Sequence, residues 1–287
     1  MGRYSEMDIR MKTYYEQIPK TKLMRRTPVV IRLDGRSFHT FTRGFKKPFD
    51  DILIKSMQDT MLYLCKNIQG CVFGYTQSDE ITLVLIDYQT LTTSAWFDYE
   101  VQKMCSVSAS MATLEFNRAF HRNAESWRND TFLEMSSIMR SVLDSGEPVD
   151  KDTQTILDSN SSYNGILIGA EHDGAQFDSR CFNIPKEEVA NMIYWRQHDA
   201  INNSISMVAQ YYFSTKELQG KSSSDKIQML IDEHGIDWNN FPIEQQRGSS
   251  CIKNEYGWEV EHEMPIIKGG DRLYVESVIY INEEDSE

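Results

Sequence analysis

Residues 29–39 read Val29-Val30-Ile31-Arg32-Leu33-Asp34-Gly35-Arg36-Ser37-Phe38-His39. From Pro28 to Leu33 the chain is short, apolar and β-branched, the pattern of a buried strand. It stops at Asp34-Gly35, where glycine permits a tight turn and a close backbone approach. A second event of this kind follows at Phe73-Gly74-Tyr75-Thr76-Gln77-Ser78-Asp79-Glu80, which runs into the strand-like Ile81-Thr82-Leu83-Val84-Leu85-Ile86. If the two strands pair side by side, Asp34 and Asp79 converge. Two carboxylates and a nearby backbone carbonyl make a hard oxygen site suited to Mg²⁺. Two such ions can clamp the attacking and leaving oxygens of a phosphoryl or nucleotidyl transfer. The spacing alone also admits a plain Asp-Gly turn and a polar strand entry at Ser78-Asp79-Glu80.

The chain of 287 residues is long enough for one large or two modest domains. No apolar run approaches membrane-spanning length, and MGRYSEMDIRMK at the start has no apolar signal core. Met1-Gly2 opens like a myristoylation site, but Glu6 stands where Ser or Thr is required. These features predict a cytoplasmic protein with no membrane partner. Five scattered cysteines without a CxxC pair predict reduced, mostly buried thiols. The formal net charge of −13 argues against plain nucleic-acid binding. The charge is segregated, however, with Lys20, Lys22, Arg25 and Arg26 near the start and Glu283, Glu284, Asp285 and Glu287 at the end. A local basic surface binds phosphate despite an acidic total.

Along the chain, Tyr4, Met7, Met11, Tyr14, Tyr15 and Ile18 recur at helical spacing and predict an amphipathic helix over 4–19 with its stripe in the core. Asp50-Asp51 predicts the cap of a helix over about 51–68, ended by Gly70. Residues 71–86 read as a hairpin, and a second long helix is expected from 91–96 to about Phe120. His121 to Met139 reads as helical, Ser145-Gly146-Glu147-Pro148 as a break, and Asp158 to Ser162 as a loop. A strand near 177–183 and a helix entered at Pro185 follow. Lys221 to Lys226 predicts a helix start capped by Ser224 or Asp225, and 259–264 and 273–280 read as strands.

Strand, helix, hairpin, helix opens a βαββαβ arrangement. RLDGRSFHTF at 32–41, KPFDD at 47–51 and GYTQSDEITLVL at 74–85 resemble the tRNA-histidine guanylyltransferase superfamily, the 3′-to-5′ nucleotide polymerases. So do WFDYEVQK at 96–103, SVSASMATLEFN at 106–117, FDSR at 177–180, YWRQHDAINNS at 194–204, SSSDKIQML at 222–230 and QRGSSCIK at 246–253. Each motif is weak alone, but together they run in family order over roughly 28–120 and 175–255.

The resemblance implies an α+β chain built on a ferredoxin-like polymerase/cyclase palm with a mixed helical and strand C-terminal region. It divides the chain into an N-terminal helix plus palm core (1–120), an insertion (121–170), and a palm-completing, tRNA-handling part (171–287). It assigns two Mg²⁺ ions to Asp34, the Gly35 carbonyl and Asp79, with Glu80 as a third ligand or nearby base. It implies nucleotide contacts from Arg36, Ser37, Phe38, His39, Lys47, Asp50, Ser78 and Lys103. Glu100 stands where relatives often carry a second phosphate-binding arginine. Weaker tRNA contacts fall on Arg32, Arg180, Arg196, Asn203 and Lys226. The family's His-Ile-Asn-Asn is here Ala200-Ile201-Asn202-Asn203, with His198 two residues earlier. That departure resembles the branch that repairs truncated tRNA 5′ ends on a template.

The expected function is therefore Mg²⁺-dependent addition of nucleotides to the tRNA 5′ end, after ATP or GTP activates a 5′-monophosphate. The alternatives are histidine-tRNA guanylyl transfer, a palm-type nucleotidyl cyclase, and an inert RNA-binding protein. A homotetramer is implied by resemblance.

Overall fold

The computed structural model describes residues 5–145 and 148–281. The acidic tail at 283–287, Tyr4 and the Gly146-Glu147 break lie outside the described residues. One six-stranded sheet organises the rest, with β1 (Val29–Gly35), β2 (Cys71–Gln77), β3 (Glu80–Leu85), β4 (Phe177–Asn183), β5 (Ser249–Asn254) and β6 (Gly257–Glu261). The strand order is β4-β1-β3-β2-β5-β6, and every neighbouring pair is antiparallel. The chain is thus mixed α+β. The expected hairpin and the strand near 177–183 are both present.

The two faces of the central strands β1 and β3 are covered by different sets of helices, which is why these strands read as unbroken apolar runs. On one face lie α3 (Asp51–Asn67) and α4 (Val101–Ser145). Ile31, Leu33, Ile81 and Leu83 meet Met57, Met61, Leu64 and Phe116 there. Burial of Met57, Met61 and Leu64 is worth about 1.5–3 kcal/mol each relative to exposure. On the other face Phe73, Tyr75 and Val84 meet Val189, Ala190 and Ile193 of α6 (Lys186–Tyr212). The second half of α6 gathers a smaller core, in which Val208 and Ala209 pack with Leu230 and Trp238.

Several expectations are corrected. The N-terminal helix forms, as Glu6–Met11 followed by a wider turn at Lys12–Glu16, ending short of the expected residue 19, and the segment buries nothing: Met7, Met11, Tyr14, Tyr15 and, in the turn beyond, Ile18 are all exposed. Periodicity shows that a face is apolar, not what covers it. The second long helix begins at Val101 rather than 91–96, because Phe97, Asp98 and Tyr99 are left-handed. Lys22 and Arg25 hold Asp98 in that bend. The same helix runs unbroken past Phe120 to Ser145, and α5 (Lys151–Asp173) folds back on it.

Asp158 to Ser162, expected as a loop, is the middle of α5. Weak helix formers cost only tenths of a kcal/mol each, and burial of Tyr163, Leu167 and Ala170 outweighs them. Residues 273–279 form a helix instead of a strand, since Val275 and Ile279, one turn apart, are the residues that bury. The helix Ser223–His234 is capped by Ser222, in a reciprocal box with Asp225, rather than by Ser224 or Asp225. All five cysteines are free, with Cys65, Cys71 and Cys251 buried.

Candidate active site

The end of β1 and the β2–β3 turn meet. The Gly35 N–H donates to the Asp79 carbonyl at 3.0 Å. In register, Asp34 stands opposite Glu80 on β3 and Asp178 on β4. A Cβ on Gly35 would lie 2.3 Å from the Phe38 ring, so only glycine lets the strand end pass over that ring. The phenyl is anchored by Phe41, Phe116 and Phe177. Ser37 and Ser78, at the two turns, both have positive φ, of 55° and 50°. Backbone strain of this kind is stored where the surrounding structure holds it.

The electrostatics separate the three acids. Burial pushes the Asp79 carboxyl above its ordinary value, and the Asp34 and Glu80 charges add to that push, against a hydrogen bond from the Ser78 hydroxyl. Glu80 is buried and already served. It takes Arg32 at 2.9 Å and two guanidinium bonds from Arg196 at 2.8 and 2.9 Å. Arg180 is held by Asp178 at 3.2 Å. Among the described residues no ion pair reaches Asp34 or Asp79. Two like charges in joined turns, in no ion pair among the described residues and with backbone carbonyls between them, fit a hard divalent cation such as Mg²⁺. Among the described residues no cluster of three or more His, Cys, Asp or Glu gathers to make a denser metal cage.

A cavity of about 420 Å³ opens beside the Asp79 turn, within the size range of small-molecule sites. Ser78, Asp79, His39, Lys47, Asp50 and Asn203 line it together, with Phe38 presenting one edge. Residues from four separate segments thus converge. Ala200 also lines it, so the position that departs from the family pattern faces this space. Asp50 caps α3 through the Leu53 N–H at 3.0 Å. The sequence reading passes over Glu244 and Gln245, which close the far wall. They lie almost two hundred positions from Lys47, and no local pattern marks them.

Other expected contacts fall elsewhere. Arg36 and Ser37 line a second cavity of about 380 Å³ on the other side of α2 (Phe38–Phe41), where Arg36 donates to Gln176 at 2.9 Å. Lys103 sits over the Phe97 ring, almost three turns, roughly 15 Å, before Thr113, the α4 residue that meets β4 opposite Gly35. It is not part of the cavity beside Asp79. Arg196 is buried between Glu80 and Asp199, and Arg32 is partly buried against Glu80 and the Trp195 ring. Arg180 is exposed on β4. Lys226 donates to Ser206 at 3.0 Å.

Residues 8–185 match the family model described as tRNA(His) guanylyltransferase. A probable tRNA(His) guanylyltransferase of Dictyostelium discoideum is 27% identical, covering 91% of this chain and 89% of its own. The tRNA(His) guanylyltransferase of Kluyveromyces lactis is 25% identical over 86% of this chain and 90% of its own. A bacterial tRNA(His) guanylyltransferase-like protein solved in complex with ATP superposes with a TM-score of 0.76 at 39% identity, covering 96% of this chain and all of that one. One in complex with GTP gives 0.68 at 35% identity, with the same coverage. These names favour the histidine-tRNA guanylyltransferase alternative over the templated repair expected from Ala200. With the Asp34-Gly35 and Ser78-Asp79 turns joined by a backbone hydrogen bond and more than half of its length matched, the chain belongs to the tRNA(His) guanylyltransferase family of nucleotidyltransferases.

Proposed function

We propose that this protein adds a nucleotide, in the 3′-to-5′ direction, to the 5′ end of a tRNA. The observation that carries the reading is the juncture of the Asp34-Gly35 and Ser78-Asp79 turns beside a nucleotide-sized cavity that also holds Lys47. ATP and GTP in the bacterial relatives support a nucleoside triphosphate as its occupant. The order β4-β1-β3-β2 with antiparallel neighbours supports a ferredoxin-like βαββαβ palm.

Asp34, the Gly35 carbonyl and Asp79 would hold Mg²⁺, which when bound acidifies a hydroxyl and neutralises phosphate charge. Lys47, exposed at the cavity, supplies a compact positive charge for a triphosphate. Asn203 and Ser78 offer neutral hydrogen bonds to orient it. Glu80, with both oxygens bonded to Arg32 and Arg196, anchors the turn that carries Asp79. In the reaction the 3′-hydroxyl of the incoming nucleotide attacks the activated 5′ phosphorus of the RNA. A new P–O bond forms, the bond to pyrophosphate or to AMP breaks, and the hydroxyl proton leaves.

The base added is decided between two readings. The relatives' names favour guanylyl addition to histidine tRNA. Ala200 at the cavity wall, where family members carry histidine, favours templated addition. Histidine tRNAs with each of the four bases opposite the new position, offered all four nucleotides, separate them. Addition of G whatever the opposing base supports the first, and addition of the complementary base supports the second. Triphosphate consumption that needs no RNA would replace both with a cyclase.

A further inference from the structure

The α4–α5 hairpin reaches from the outside of the molecule onto the loop that carries Lys47. Tyr163 of α5 is 6% exposed, and its hydroxyl donates to Asp50 Oδ2 at 2.6 Å. The same oxygen accepts the Lys46 N–H at 3.0 Å, while Oδ1 accepts the Leu53 N–H that starts α3. Three donors therefore occupy this buried carboxylate, which makes Asp50 a joint between loop, helix and hairpin. The Lys46 ammonium lies 4.7 Å from the Tyr163 ring centroid and 5.4 Å from that of Trp127. The two rings meet edge to face at 4.9 Å. Ile166, less than one turn after Tyr163, closes against Gly44, where a Cβ would come within 2.9 Å. The loop is thus gripped by one helix at Gly44, at Lys46 and at Asp50.

The grip treats the two neighbouring lysines differently. Lys46 is drawn onto two aromatic faces, a favourable cation–π position. Lys46 and Lys47 are both exposed and both line the cavity that holds Asp79, but the Lys46 ammonium is held over the rings, which leaves Lys47 as the cation that no ring engages among the described residues. We propose that Tyr163 is a positioning residue for the nucleotide site: through Asp50 and Lys46 it holds the loop so that Lys47 meets the β- and γ-phosphates of the bound triphosphate. The proposal rests on the reading that this cavity takes a nucleoside triphosphate. It gives the long helical hairpin a part in nucleotide recognition as well as in packing.

The test compares Tyr163→Phe, Lys47→Ala, the double variant and Phe132→Ala, an exposed site on the same hairpin. Equilibrium affinity is measured for GTP and for GMP, with thermal midpoints alongside. Tyr163→Phe keeps the ring and loses the bond to a carboxylate, and GTP affinity should fall roughly five- to tenfold. GMP affinity should change less than twofold, because GMP lacks the phosphates that Lys47 meets. In the Lys47→Ala background Tyr163→Phe should add almost nothing, and Phe132→Ala should match wild type. Unchanged GTP affinity in Tyr163→Phe, equal losses for GMP and GTP, or losses that add to those of Lys47→Ala would each overturn the proposal. Failure of the wild-type protein itself to bind GTP would overturn the functional reading, and this proposal with it.

Discussion

Asp79 carries an electrostatic burden that no ion pair among the described residues relieves. Its carboxyl is raised by burial and by the neighbouring Asp34 and Glu80 charges. An acid whose folded pKa lies above its unfolded value contributes its full stability below the unfolded pKa, near 4 for aspartate, and loses it as pH rises through the folded pKa. Asp79→Asn should therefore raise the thermal midpoint of the metal-free protein at neutral pH, with the gain fading as pH falls towards about 4. The same change should lower nucleotidyl transfer by roughly 10²-fold or more, since it removes a carboxylate proposed to hold the Mg²⁺ that would neutralise phosphate charge. A melting series from pH 4 to 8 beside a turnover assay checks both parts. A midpoint that falls at neutral pH would show that the Asp79 charge is already satisfied within the fold. Asp34 and Asp79 were legible in the sequence because each ends or begins a buried apolar run. Tyr163 and Glu244 were not, because their partners come from remote segments.

At the scale of elements, β1 and the β2–β3 hairpin were readable because their neighbours in the sheet are also buried, leaving a continuous β-branched pattern. The short apolar run at 273–279 carries no such discrimination, and its four-residue spacing of buried side chains appears only against α6 and β2. The α4–α5 hairpin was hidden by its polar middle, which tertiary contacts keep helical. Glu171 fastens it. Partial burial opposes the charged carboxylate, but hydrogen bonds from Arg128 (both at 2.9 Å) and His121 prevail and hold its pKa below the ordinary value. A depressed acid contributes stability above its unfolded pKa, about 4.3 for glutamate, and loses it as pH falls through the folded value. Glu171→Gln should cost about 1 kcal/mol at neutral pH, discounted for partial solvent exposure. The difference from wild type should close as pH drops below about 4. Chemical denaturation at pH 7 and near pH 4 reads this directly, and an equal cost at both pH values would assign the residue a packing role only.

For the whole molecule, one property calls for a partner and another limits the attraction of one. The N-terminal segment shows Met7, Met11, Tyr14, Tyr15 and Ile18 to solvent, from 41% to 76% exposed. Burial of such a face is the usual drive for association. The homotetramer proposed from the family pattern offers a place for it. Light scattering should give a mass above that of one chain, reduced by Tyr14→Asp with Tyr15→Asp. A monomer at micromolar concentration would remove that proposal. The other property is the net charge of −13, which predicts weak RNA attraction outside a few basic contacts.

The central claim is that this chain builds on the 5′ side of an RNA at the Asp34–Asp79 juncture. The most direct measurement uses a tRNA whose 5′-monophosphate carries the radiolabel, incubated with Mg²⁺, ATP and GTP and then treated with phosphatase. A label that becomes phosphatase-resistant and, after ribonuclease digestion, lies in an oligonucleotide bearing the added G is the predicted result with the wild-type protein but not with Asp79→Asn, whereas an adenylylated 5′ end shields the label without the added G. A label that stays fully phosphatase-sensitive with the wild type, under conditions where GTP binds, would contradict it.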